Sequence, residues 1–136
     1  MVKSGFEPVL VSSPALIFEN LYSSGEFAGP IPEQALVLNT SKGLVVITGC
    51  SHPGIVEILK EIKSVFNKNI YMVLGGFHLL DKSDKEMENI IADIKALGVV
   101  KCGAGHCTGD KQIKMLKNSF GINFIELGVG NSIVIN

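Results

Sequence analysis

Hydrophobic positions along the chain change period at about residue 48. Before that point, Gln34 to Asn39 and Leu44 to Thr48 are apolar runs separated by Thr40-Ser41-Lys42-Gly43. That is the length and composition of a hairpin turn, with glycine where the backbone needs a positive φ. Shorter β-like runs precede it at Pro8 to Val11 and Ala15 to Phe18, followed by a stretch rich in Gly and Pro from Ser23 to Pro32. Beyond Thr48, Ile55, Ile58, Leu59, Ile62, Val65 and Phe66 recur at helical spacing, with Lys60, Glu61 and Lys63 on the other side. This predicts an amphipathic helix, with Pro53 suited to its first turn.

Ile70 to Leu74 is a nearly continuous apolar run, the pattern of a strand buried on both faces. Ser83-Asp84-Lys85-Glu86 has the form of a capping box, and Met87, Ile90, Ile91, Ile94 and Leu97 continue it as a second amphipathic helix stopped by Gly98. Val99 to Cys102 reads as a short strand. Thr108 or Gly109 opens a third helix carrying Ile113, Leu116 and Phe120 and ending at Gly121; Ile122 to Leu127 and Ser132 to Ile135 read as closing strands. From Leu44 the order is β-α-β-α-β-α-β-β, an α/β (in some schemes α+β) pattern in which the helical crossovers make the first strands parallel.

Composition narrows the function. At 136 residues the chain is read as a single domain, 1–136. With 46% hydrophobic and 18% charged residues, it buries too much apolar side chain to stay disordered. Its apolar runs fall far short of a membrane span. The net charge of −1 lacks the basic footprint of nucleic-acid binding. All 12 cations are lysine, so no guanidinium fork is available and an anion must be held by backbone N–H, lysine or a metal. Three cysteines form no regular framework and no cationic, apolar leader opens the chain, so the expectation is a cytoplasmic location with reduced thiols.

The three histidines share one setting. Each follows a strand in a glycine-bearing loop: Thr48-Gly49-Cys50-Ser51-His52-Pro53-Gly54, Leu74-Gly75-Gly76-Phe77-His78-Leu79 and Cys102-Gly103-Ala104-Gly105-His106-Cys107-Thr108-Gly109. In a parallel sheet these loops emerge at the C-terminal strand ends, where open α/β folds keep their sites. One loop histidine is more often a polar surface or capping residue. Three in equivalent loops suggest converging imidazoles that suit zinc, iron or manganese. Cys50 and Cys107 are accessory thiolates or small buried residues, and Cys102 reads as packing. Asp81 and Asp110 follow two of the loops and could assist as base or support a ligand. Lys82 and Lys111 read as solvated.

The phrases Thr-Gly-Cys-Ser-His-Pro-Gly, Gly-Gly-Phe-His-Leu and Gly-His-Cys-Thr-Gly, in this order and with these helices between, resemble the metallo-β-lactamase superfamily. More narrowly, they resemble its branch of metal-dependent hydrolases related to dihydropterin (ribofuranosyl)aminobenzene phosphate synthase. The resemblance implies the C-terminal half of an αββα sandwich: a mixed sheet with three helices. The family's His-x-His-x-Asp-His motif, which lies in its N-terminal half, is absent from this sequence. By resemblance His106 matches the last metal-ligand histidine. His52 falls in the phrase that takes the place of the central ligand segment, where Cys50 stands at the position of a bridging aspartate. His78 matches the branch's own phrase and is assigned to substrate or metal.

A complete site of this kind implies a divalent metal (zinc, iron or manganese), a metal-bridging hydroxide as nucleophile, and a phosphorylated or pterin-like small-molecule substrate. The half alone lacks four ligands, so the expectation for the isolated chain is an inactive one that has lost most of its metal affinity. Half a sandwich also exposes an apolar sheet face, which predicts self-association or a complementary N-terminal half. Two other readings stay open: a non-catalytic α/β anion-binding or interaction module, and an enzyme with a nucleophilic Cys50 or Cys107.

Overall fold

In the computed structural model, residue 5 and residues 7–135 are described. Six strands form one mixed sheet in the order β1 (Ala15–Phe18), β2 (Leu21–Ser23), β3 (Leu36–Thr40), β4 (Gly43–Thr48), β5 (Ile70–Gly76) and β6 (Lys101–Gly105). The pairs from β1 to β4 are antiparallel, and β4, β5 and β6 run parallel. Helix α1 (Ile55–Phe66) links β4 to β5, α2 (Asp84–Ala96) links β5 to β6, and α3 (Asp110–Phe120) follows β6. The result is the expected α/β architecture of a mixed sheet with three helices.

The β3–β4 hairpin is tighter than the apolar runs suggest. Thr40 pairs with Gly43 in register, so Ser41 and Lys42 alone make the turn. Gly43 has φ 127°, and a Cβ there would sit 2.7 Å from the Asn69 carbonyl oxygen, so both conformation and space require glycine.

The sheet packs its helices over one face. In-register Val37, Val46 and Val73 join Ile58, Leu59 and Ile62 of α1, Met87 and Ile94 of α2 and Leu116 of α3 in one buried cluster. The helices touch in sequence, α1 against α2 and α2 against α3. This follows from the pattern: two crossovers advancing across parallel strands in one direction place their helices on the same side. The Ser83–Glu86 capping box forms as expected, with both reciprocal hydrogen bonds present.

Several expectations fail. Pro53 lies in a turn before α1, because Gly54, the N-cap residue, adopts φ 104° and separates it from the helix. Pro8 to Val11 forms no strand. The strand expected at Val99 starts at Lys101, because Val99 N–H is committed to the Ile94 carbonyl at the end of α2. Beyond α3 the chain makes a 3-10 turn at Gly121–Asn123, and a single bridge from Phe124 to Cys102 is all that forms of the expected strand 122–127. Ser132 to Ile135 is likewise not a strand.

The second face of the sheet carries partly or largely exposed apolar side chains. Leu36, Ile47 and Leu74 are in register across β3, β4 and β5, and Leu36 and Ile47 are 40% and 39% exposed. Phe18, at 66%, extends the patch toward the β1 edge. The C-terminal segment crosses this face over β6, where Leu127 Cδ2 lies 3.1 Å from the position a Cβ on Gly103 would take. Among the described residues no helix is long and apolar enough to cross a membrane.

Candidate metal centre at the strand-end rim

Strands β4, β5 and β6 end at Thr48, Gly76 and Gly105, and the three histidine loops leave the sheet from these ends. Hydrogen bonds lace the loops together. Gly76 N–H donates to Gly49 O (2.9 Å), the Ser51 hydroxyl donates to Gly76 O (2.7 Å), and Phe77 N–H donates to Thr108 Oγ1 (3.1 Å). The Thr108 hydroxyl in turn donates to Gly105 O at 2.7 Å. Each loop also holds one non-glycine residue in the left-handed region: Ser51 (φ 64°), His78 (φ 48°) and His106 (φ 52°). Such conformations persist where surrounding contacts over-determine them, and they cluster at functional sites.

Close approach depends on glycine. A Cβ on Gly76 would lie 2.5 Å from Gly49 O and 2.9 Å from Cys107 Sγ. The Gly-Gly of the second loop therefore clears the space in which the first and third loops meet.

The structure brings all three imidazoles to this rim, in two sets. His52 and His78 stand with ring centroids 4.4 Å apart. His106 lies beyond Cys50, its Nε2 joined to Cys50 Sγ by a 3.2 Å hydrogen bond. The Cys107 thiol donates to the Cys50 carbonyl at 3.5 Å. Donor atoms of Cys50, His106 and Cys107 all lie within 4.8 Å of one another, and so do those of Glu33, Cys50 and His52. Cys50 is the member common to both sets. His78 lies beside His52, outside either set, exposed and lining a pocket with His52 and Lys82.

Glu33 is the residue that sequence reasoning misses. Its backbone is fixed by two bonds with Phe27, whose buried ring anchors the segment before β3. From there one carboxylate oxygen meets His52 Nδ1, and the other accepts from Ser51 N–H (2.7 Å) and His52 N–H (3.3 Å). Its one sequence signal is an acid directly after the Gly- and Pro-rich segment, which also carries Glu26.

The other candidates sit apart. Asp81 and Asp110 are exposed and belong to neither donor set. Lys82 and Lys111 are exposed and paired with Glu86 and Asp84. Cys102 is buried on β6, and burial pushes its thiol up to about 12, which suits packing and not chemistry. Cys50 is also raised, first by burial and then by its hydrogen bond to Cys107 and the charge of Glu33. Without a cation beside it, that environment favours the protonated thiol.

The chemistry of the donor set suits a divalent metal. Two thiols and an imidazole mutually within 4.8 Å form a soft sulfur and nitrogen set, matched to zinc or iron and not to magnesium or calcium. The residues fit.

Comparison with known proteins agrees. No family model matches the chain. Over 102 residues it is 41% identical to the 7,8-dihydropterin-6-methyl-4-(β-D-ribofuranosyl)-aminobenzene-5′-phosphate synthase of Methanocaldococcus jannaschii, covering 74% of this chain and 35% of that protein. An uncharacterized protein of the same organism is 36% identical over 91 residues, 67% of this chain and 34% of its own length. A crystal structure of a metal-dependent hydrolase of the β-lactamase superfamily superposes on 90% of this chain with a TM-score of 0.80 and 34% identity. The chain is related to the metallo-β-lactamase superfamily. It spans about a third of the length of the curated relatives it matches, and 56% of the solved metallo-β-lactamase-like chain. Divalent metal use belongs to that superfamily, and the rim described above is where this metallo-β-lactamase relative gathers its nitrogen and sulfur donors.

Proposed function

We propose that this chain carries one side of a metal-dependent hydrolase site acting on phosphorylated, pterin-like small molecules. His52 and His106 serve as metal ligands, His78 faces substrate or metal, and Cys50 and Cys107 are accessory donors for zinc, iron or manganese. The observation that carries this reading is the position of Cys50 within 4.8 Å of donor atoms from both the His52 and the His106 loops. The chemistry a cation supplies when bound is Lewis-acid polarisation of the scissile bond. The chain's own residues hold the loops in place: Glu33 fixes the His52 ring by its Nδ1, and Thr108 ties the His106 turn to Phe77, just after β5.

Substrate class is inferred from the relative's name together with the His52, His78 and Lys82 pocket of about 260 Å³ beside the rim. The open sheet face around Leu36 and Ile47 is assigned to a complementary N-terminal half, with self-association of the chain in its absence. The isolated chain is then inactive as a hydrolase. The test is metal analysis by mass spectrometry of purified protein and of His106→Ala. Stoichiometric zinc, iron or manganese in the first and its loss in the second supports the reading, and a metal-free protein after growth in metal-supplemented medium overturns it.

A further inference from the structure

We infer that Cys107 is a metal ligand in its own right, so that Cys50, His106 and Cys107 form a thiolate-rich site for a divalent cation contained wholly within this chain. This rests on the metal-dependent reading above and deepens it by naming a ligand, a charge type and an open position.

Geometry is the first argument. Neighbouring residues on a regular helix diverge, yet His106 and Cys107 converge on Cys50, because His106 takes a left-handed φ of 52° at the start of a 3-10 turn. Thr108 locks that turn through its two hydrogen bonds to Gly105 O and Phe77 N–H. Gly76 leaves the room, since Cys107 Sγ lies 2.9 Å and His106 Cδ2 lies 3.2 Å from where its Cβ would be.

Chemistry is the second. Two thiolates and a neutral imidazole compensate a 2+ cation in full, so the site needs no carboxylate and no residue from elsewhere. Three protein ligands leave a fourth position open, the arrangement of zinc sites that act on substrates and not of closed structural ones. An open cleft of about 460 Å³ begins at His106, bounded by Gly49, Gly76, Gly105 and Leu127. Glu33 and His52 share Cys50 but lie outside this set, already bonded to each other.

Cobalt(II) titration of the purified chain tests the assignment, with near-ultraviolet thiolate-to-cobalt charge-transfer absorption as the readout. Wild type is expected to saturate at one cobalt per chain. Cys107→Ser and Cys107→Ala should lose a large part of the band and bind more weakly by about tenfold or more, and Lys111→Ala, outside both donor sets, should keep the band. A Cys107 variant with undiminished band and affinity overturns Cys107 as a ligand while leaving metal binding by His106 intact. Wild type that takes up no cobalt overturns the metal reading itself. If both Cys107 variants fail to fold by circular dichroism, zinc-edge X-ray absorption of the zinc-loaded wild type decides: two sulfur scatterers support the assignment, and one overturns it.

Discussion

Glu33 holds His52 at both ring and backbone: one carboxylate oxygen engages Nδ1, and the other accepts the His52 amide at 3.3 Å and the Ser51 amide at 2.7 Å. A single side chain from before β3 thus sets the ring's rotation and the path of the loop after β4. Hydrogen bonds to a charged acceptor are worth roughly 1.5–3 kcal/mol net. Glu33→Ala should lower unfolding stability by about 2 kcal/mol in a urea titration. In nitrogen-15 spectra of the histidine rings, His52 should change from an Nδ1-protonated form to a mixture of tautomers. An unchanged His52 ring signal in the folded variant would show that the carboxylate does not orient it.

Gly76→Ala tests the crowding at the junction of the three loops. The new methyl would meet Gly49 O at 2.5 Å, a backbone atom that cannot swing aside as a side chain does. Overpacking of this kind costs about 1–3 kcal/mol. The variant should lose that much stability in chemical denaturation and bind zinc more weakly in a competition assay with a chromophoric chelator. A variant as stable as wild type, with equal zinc affinity, would mean that the loops have slack at this point.

What could be read from the sequence is what depends on near neighbours. Ser83 and Glu86 lie three residues apart, so the capping box is visible in the residue string, and the helical spacing from Ile55 to Ile62 marks α1 in the same way. The His52, His78 and His106 loops could be placed on one rim because parallel crossovers leave few alternatives. Glu33 could not be placed, since its partners are 18 and 19 residues away and the path between them runs through an irregular segment. Ile122 to Leu127 misled for the opposite reason. Its apolar residues suit a strand, but a sheet edge must supply a continuous ladder, and only the Ile125 amide finds one, on Cys102 O. The division of the rim into two donor sets sharing Cys50 was also not legible, because it depends on the left-handed turn at His106.

The sheet face away from the helices predicts association. Leu36 and Ile47 pair in register and are 40% and 39% exposed, and Phe18 adds a largely exposed ring. Contiguous apolar surface of this kind drives contact between molecules. The chain should show a concentration-dependent mass in light scattering and bind an apolar-surface dye. The Leu36→Ser, Ile47→Ser double variant should reduce both. A wild-type chain that stays monodisperse and monomeric, without dye binding, would remove the basis for a covered face.

The α2 cap gives a prediction with a defined pH window. The Glu86 carboxyl is held at about 2, below its ordinary 4.5, first by the Ser83 hydroxyl, then by the Ser83 amide and Lys82. A carboxyl depressed in the folded state binds its proton more readily once the chain unfolds. The unfolded state therefore takes up more protons between these two values, and stability rises with pH across that interval. The contribution is complete above pH 4.5 and fades as pH falls toward 2. Glu86→Gln should accordingly melt at a lower temperature than wild type at pH 7, and the gap should narrow below pH 4.5 and close near pH 2. Thermal unfolding followed by circular dichroism at several pH values in constant salt measures it. Because the Lys82–Glu86 pair is solvent-exposed, added salt should shrink the Lys82 part of the gap and leave the Ser83 part. A gap that is constant from pH 7 to pH 2 would show that the amide side chain fails for reasons of shape, and that the carboxylate charge contributes nothing to the cap.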